Sequence, residues 1–312
     1  MLEGELGELE KRDIRDQVER ILRDLGHPEP PLHLRDVRAL LSLDLQYYSS
    51  SDPSLIAELT HRFTILARRS IPDLGRHLLT ALSKSRLCAF WVPESSRILV
   101  DADVPEPKHR WLEAHEIIHS ATPWHKKFLL GDNHQTLDPA CHAALEAEAN
   151  YGAGRLLFLQ DQLAAEARDL VLSFASIKQL SKRYQNSIAS TFWRAVEDRD
   201  PKQAVFGIVS VHPRHPDIGR HDGPYPWRYY IRSAAFRTQF PEIGPKEAFE
   251  LVSLYASDRK TGPVFGAVHV LRDTLGDDWE FQIESFSTKH ALLTLGFAIR
   301  RYFGLIAVGA GV

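Results

Sequence analysis

Apolar residues fall into two regimes along this chain. Up to about residue 200 they recur mostly at helical spacing, and beyond it they crowd into short β-rich runs. Ile14, Val18, Ile21, Leu22 and Leu25 mark one face of a helix over 10–26 that stops at Gly26. A second helix near 34–42 runs into the strand "LDLQYY", and 53–84 carries the pattern of one or two helices broken at Pro72. "LCAFWVP" and "RILVDAD" read as paired strands around "ESS". A helix over about 107–121 follows, with Pro107 near its start and Pro123 beyond its end. Asp138 as N-cap and Pro139 at the first helical position open the next helix, and helical patterning continues to about 172. "SIKQLSKRYQNSIASTFWRAVED" gives two short amphipathic helices hinged at Asn186-Ser187. Past Pro201, "AVFGIVSVH", "WRYYIRSAAF", "PVFGAVHVL" and "WEFQIESF" are β-rich, and "TKHALLTLGFAIRRYF" reads as a closing helix. The expectation is an α+β protein in three parts. A mainly helical domain with a small sheet spans 1–165, a helix-turn-helix-like segment 166–200, and a mixed α/β domain 201–312.

Composition narrows the function classes. An apolar content of 44% and a charged content of 25% are ordinary for a soluble globular protein. The net charge of −3 gives no global pull toward nucleic acid or anionic membrane, so any DNA contact needs a local basic patch. The charged start "MLEGELGELEKRDIRDQVER" lacks the apolar core of a signal peptide, and no window approaches the length of a membrane span. Cys88 and Cys141 make no disulfide framework, and a cytoplasmic location is expected.

Within the 107–121 helix stands "WLEAHEIIHSATPWH". His115 and His119, four residues apart, lie on one helix face and can share a cation, while Glu116 projects about 100° away. That is the arrangement of a zinc hydrolase. Two histidines and one further ligand leave a position open, a water activated there has a pKa near about 7, and the adjacent carboxylate takes its proton. Ile117 and Ile118 then face the core with Leu112. With 15 histidines in the chain the motif could arise by chance, so a third ligand has to be found. Glu146, on the helix opened by Pro139, is the best candidate. Asn150, one turn on, is placed to support a ligand, and Glu148 is expected to face solvent. His142, one turn before Glu146, either ligates or lines the cleft. His125, His134 and Cys141 are read as bystanders, and Gly152 and Gly154 as sites of close helix packing. Zinc is the expected ion, and manganese or iron would suit the same donors.

These residues resemble those of the ImmA/IrrE metallopeptidases. "RWLEAHEIIH" followed by "EAEANYGAGRLL" is similar to that family's AHE-x-x-H helix and its later E-x-x-A-N segment with a Leu-Leu pair. The resemblance covers roughly residues 34–160 and implies a zincin-like fold, His115, His119 and Glu146 as zinc ligands, and Glu116 as catalytic base. It also implies a protein substrate, typically a helix-turn-helix repressor, a sensor-like (GAF-like) domain after the peptidase, and a link to stress responses. Three departures stand out. Ile118 occupies a position where the family usually has a small residue, "FLQD" replaces the usual Met-Pro after Leu-Leu, and the 53–84 insert is long.

The remaining sequence offers weaker chemistry. Ile177, Leu180, Tyr184, Ile188, Phe192 and Val196 form a stripe compatible with a helix-turn-helix, and Lys178, Lys182, Arg183 and Arg194 could contact nucleic acid or a partner. The first residues of its second helix, Ser187 to Thr191, include no Lys or Arg, so a scaffold or protein-docking role is favoured over DNA. His212, His215 and His221 sit among prolines and glycines that suggest an exposed loop rather than a preformed metal site. The expected activity is zinc-dependent endoproteolysis of an intracellular regulator. The alternative is a DNA-binding regulator, or an inactive docking protein with a structural or sensory zinc.

Overall fold

The computed structural model describes residues 6–49, 61, 88–125, 139–220 and 223–302. Asp138 and all of 53–84 except His61 lie outside them. The fold is α+β, in two compact units, Met1–Gln160 and Asp161–Val312.

The first unit comprises α1 (Glu8–Asp24), α2 (Leu34–Leu41), β1 (Asp44–Tyr48), β2 (Ala89–Val92), a 3₁₀ turn (Pro93–Ser95), β3 (Arg97–Asp101), α3 (Glu106–Ala121) and α4 (Pro139–Leu157). α1 ends where its apolar period does, with Gly26 at φ +78, a left-handed conformation that costs glycine little. The sheet runs β1-β3-β2, with β1 parallel and β2 antiparallel to β3. Central β3 buries Ile98, Leu99 and Val100.

α3 lies against β2, β3 and α4, and its residues Glu113 to His119 are all buried. A helix enclosed in this way has no polar face toward water, so its acidic and histidine side chains need partners inside the protein. Glu113 finds one in Arg38 of α2, at 2.7 Å. Ile117 and Ile118 enter the core as expected, at 0% and 1% exposure. α4 approaches closely because it presents bare backbone. A Cβ on Gly152 would lie 2.7 Å from Ile118 Cγ2 and 3.0 Å from Ile14 Cγ2 of α1. The branched side chain at 118 is thus matched by a missing one at 152.

The second unit comprises α5 (Gln162–Arg168), α6 (Phe174–Tyr184), α7 (Ile188–Glu197), β4 (Val205–Ser210), β5 (Trp227–Arg232), α8 (Ala234–Gln239), α9 (Pro245–Tyr255), β6 (Gly262–Arg272), β7 (Asp278–Ser287) and β8 (Leu292–Arg301). Its antiparallel sheet has the order β5-β4-β8-β7-β6. Alternate residues of buried β4 serve opposite faces. Phe206 and Ile208 meet Phe236, Phe240 and Val252 of the α8–α9 side, whereas Val205 and Val209 meet Ile177, Phe192 and Val196 of α6 and α7. The helix-turn-helix-like pair therefore shares a core with this sheet. The closing helix expected over 288–303 is instead strand β8, paired between β4 and β7 and buried from Leu292 to Gly296. A strand covered on both faces loses its polar alternation, which is why its apolar run looked helical. "WRYYIRSAAF" likewise divides, the strand ending at Arg232 and Ser233 capping α8.

Candidate metal centre

The HExxH residues and α4 converge inside the first unit. His115 and His119, one turn apart on α3, direct their Nε2 atoms to within 3.1 Å of each other. Glu146 of α4 completes the group, with Oε2 at 3.2 Å from His115 Nε2 and Oε1 at 3.5 Å from His119 Nε2. All three ligand atoms lie within 4.8 Å of one another. In a tetrahedral zinc site with bonds of about 2.0–2.1 Å, neighbouring donors stand roughly 3.3 Å apart, so these separations are those of three corners of such a site.

The other ring nitrogens are held. His115 Nδ1 lies 3.2 Å from Asn150 Oδ1, which fits an Nδ1–H donor and turns Nε2 toward Glu146. His119 Nδ1 lies 2.9 Å from His125 Nδ1, and His125 Nε2 lies 2.8 Å from Glu148 Oε2, which also accepts from Trp124 Nε1–H at 2.6 Å. Two expectations are corrected here. His125 is not a bystander but fully buried, and Glu148 does not face solvent. The side of α4 opposite Glu146 is covered by the turn after Pro123, which carries Trp124 and His125. His142 falls within α4, with its side chain outside the described residues. His134 is also outside them.

Three acceptor-bearing groups at one point require a cation or protons between them. Burial works to lower the His115 imidazole, but its hydrogen bond and charge attraction to Glu146 and the charge of Glu116 raise it overall. Burial pushes His119 down to about 4, with the nearby Glu146 carboxylate opposing. Burial works to raise Glu146, yet contact with the His115 and His119 rings holds its carboxyl well below the usual carboxylate range. Glu116, one residue along α3, lies outside this trio and accepts a hydrogen bond from the Trp91 backbone N–H of β2. Burial pushes its carboxyl up to about 7, with His115 pulling the other way. Such a group can take or give a proton near neutral pH.

In the second unit two of the four expected cations have carboxylate partners. Arg183 pairs with Glu166 at 2.8 Å, and buried Arg194 meets Glu197 and Asp198, each at 3.3 Å. Lys178 lies over the Phe286 ring, and Lys182 is exposed. The start of α7, Ser187 to Thr191, runs into buried Thr191 and Phe192 against the sheet. The His212–His215 pair is no exposed loop pair. His212 is fully buried, and the two rings meet the backbone carbonyls of Arg259 and Asp258. His221 lies outside the described residues.

No family model and no curated protein matches the chain. Among solved structures, one described as a Mycobacterium tuberculosis transcriptional regulator is similar, with a TM-score of 0.54 and 12% identity. The match covers 92% of this chain and 75% of that one. At that identity the likeness is one of fold.

Proposed function

We propose that the chain is a zinc-dependent endopeptidase acting on a specific intracellular protein, in the manner of the ImmA/IrrE peptidases its motif resembles. The observation that carries this reading is the convergence of His115, His119 and Glu146 at tetrahedral spacing, with Glu116 buried beside them. The donor set, two imidazoles and a carboxylate, suits zinc, and would also take manganese or iron. A zinc ion held by His115, His119 and Glu146 would supply Lewis acidity to a scissile carbonyl and to water. Glu116 takes the proton of that water on its carboxylate and delivers it to the leaving amine, a role supported by its raised pKa and its fixed hydrogen bond to Trp91. A sensor-like role for the second unit and a helix-turn-helix repressor as substrate class are proposed from the resemblance of the motif to the ImmA/IrrE peptidases. The test is co-incubation of a repressor encoded beside this chain with wild type and Glu116→Gln protein. About one zinc per chain in both, with cleavage by the wild type alone, is expected. A Glu116→Gln protein as active as wild type would overturn the mechanism.

A second reading, a DNA-binding regulator with a structural or sensory zinc, is favoured by the name of the similar solved structure. It is weakened by the carboxylate partners of Arg183 and Arg194. Salt-sensitive, sequence-selective DNA binding that survives Glu116→Gln would favour it over proteolysis.

A further inference from the structure

The string Trp124–Glu148–His125–His119, buried except at Trp124, reaches the candidate centre from the Nδ1 side of His119. Its hydrogen bonds fix a direction. A carboxylate offers only acceptors, and the indole N–H only a donor. Glu148 Oε2 accepts from Trp124 Nε1–H at 2.6 Å, and faces His125 Nε2 at 2.8 Å. His125 must therefore carry a hydrogen on Nε2. In its neutral form its Nδ1 is then a lone pair, and that atom lies 2.9 Å from His119 Nδ1. The bond exists only if His119 carries its hydrogen on Nδ1. The lone pair of His119 is then on Nε2, the atom 3.5 Å from Glu146 Oε1 and 3.1 Å from His115 Nε2. Each choice follows from the one before, and the first is made by Glu148.

We propose that His125 and Glu148 are positioning residues which, through two imidazoles in series, lock His119 in the tautomer that presents Nε2 to a metal ion. The inference rests on reading His115, His119 and Glu146 as a metal centre. His115 is set separately and more simply by Asn150. The two ligand histidines thus have supports of different kinds, an amide for one and a charged relay for the other. A carboxylate behind a ligating imidazole orients the ring and raises its basicity, and losing such support typically costs about 10–100-fold in metal affinity. Here the carboxylate acts at one remove. His125 is wholly shielded from water, so no solvent molecule can take over its hydrogen bond to His119.

The relay is tested by zinc affinity, measured by competition with a chromophoric chelator, and by the ring-nitrogen shifts of His119 in ¹⁵N-labelled full-length protein. Glu148→Leu and His125→Phe cut it at different links, so misfolding of one variant leaves the other to decide. Both are expected to bind zinc about 10–100-fold more weakly, and to show mixed His119 tautomers where the wild type shows hydrogen on Nδ1. Glu148→Gln keeps an acceptor toward His125 and is expected to restore most of the affinity and the single tautomer. Unchanged nitrogen shifts with wild-type zinc affinity in both cut variants would overturn the proposal. If the wild type takes up no zinc, the metal reading fails, while the nitrogen shifts of the metal-free protein still decide the relay.

Discussion

The contact between Gly152 and Ile118 allows a prediction with a worked magnitude. Gly152→Ala adds one methyl at a point 2.7 Å from Ile118 Cγ2, 3.1 Å from Ile118 Cγ1 and 3.0 Å from Ile14 Cγ2. Ile118 and Ile14 belong to α3 and α1 and are buried, so relief requires displacing one of two packed helices. Overpacking of this kind costs about 1–3 kcal/mol, and clashes on two sides place it at the upper end. Replacing a helical glycine by alanine returns up to about 1 kcal/mol. A net loss of about 2 kcal/mol is expected, read as a shift in the urea midpoint at constant slope. Ile118→Ala alone empties a buried site and should cost roughly 2–5 kcal/mol. In the double variant the new methyl enters the emptied volume, so the two losses should fall short of additive by about 1–2 kcal/mol. A Gly152→Ala protein as stable as wild type, or a strictly additive double variant, would refute the steric argument.

Glu146→Gln should reduce zinc content to background in dialysed protein, with far-UV circular dichroism unchanged; retention of a full equivalent would remove Glu146 from the ligand set. In metal-stripped protein, Glu116→Gln should raise stability in a pH-dependent way. A carboxyl at about 7 in the fold and 4.5 unfolded holds its proton longer when folded. Its cost is therefore absent below about pH 4.5, grows as pH rises, and saturates above about pH 7 near 3 kcal/mol. Equal stability of the two proteins at pH 8 would contradict this burial effect. Replacing Lys182 and Arg183 by alanine should leave any DNA retention at physiological salt unchanged, since Arg183 already has a carboxylate partner; a steep loss in a gel-shift assay would restore the DNA reading.

The candidate centre was legible because its parts are set by local geometry. Four residues make one helical turn, so His115 and His119 had to share a face once α3 was recognised. Pro139 marked the start of α4, and the facing of Glu146 and Asn150 followed from the same period. His125 and Glu148 were misjudged because their role depends on where the chain returns after Pro123, which no helical period encodes. Their spacing from His119 and Glu146 looks the same whether that turn folds back over α4 or away from it. β8 was misread for a related reason. Leu292, Leu293 and Leu295 are buried, with no polar residue exposed between them, and only the neighbouring strands show which period applies. α9, by contrast, carried a usable signal. Pro245 sits at its start, and Glu247 reaches back to the Gly244 N–H at 3.0 Å.

The order β5-β4-β8-β7-β6 also sets a timetable for the second unit. β6, β7 and β8 are successive antiparallel neighbours and can zip together as soon as they are made. β4 is made long before them, yet one of its two edges is reserved for β8, with Val205 opposite Phe297 and Ser210 opposite Leu292. Until residues 292–301 emerge from the ribosome, a strand reading "VFGIVS" waits with that edge open. Such an edge is a template for pairing with other chains. The nascent protein is therefore most exposed to aggregation late in its synthesis, when most of the second unit exists but its middle strand does not.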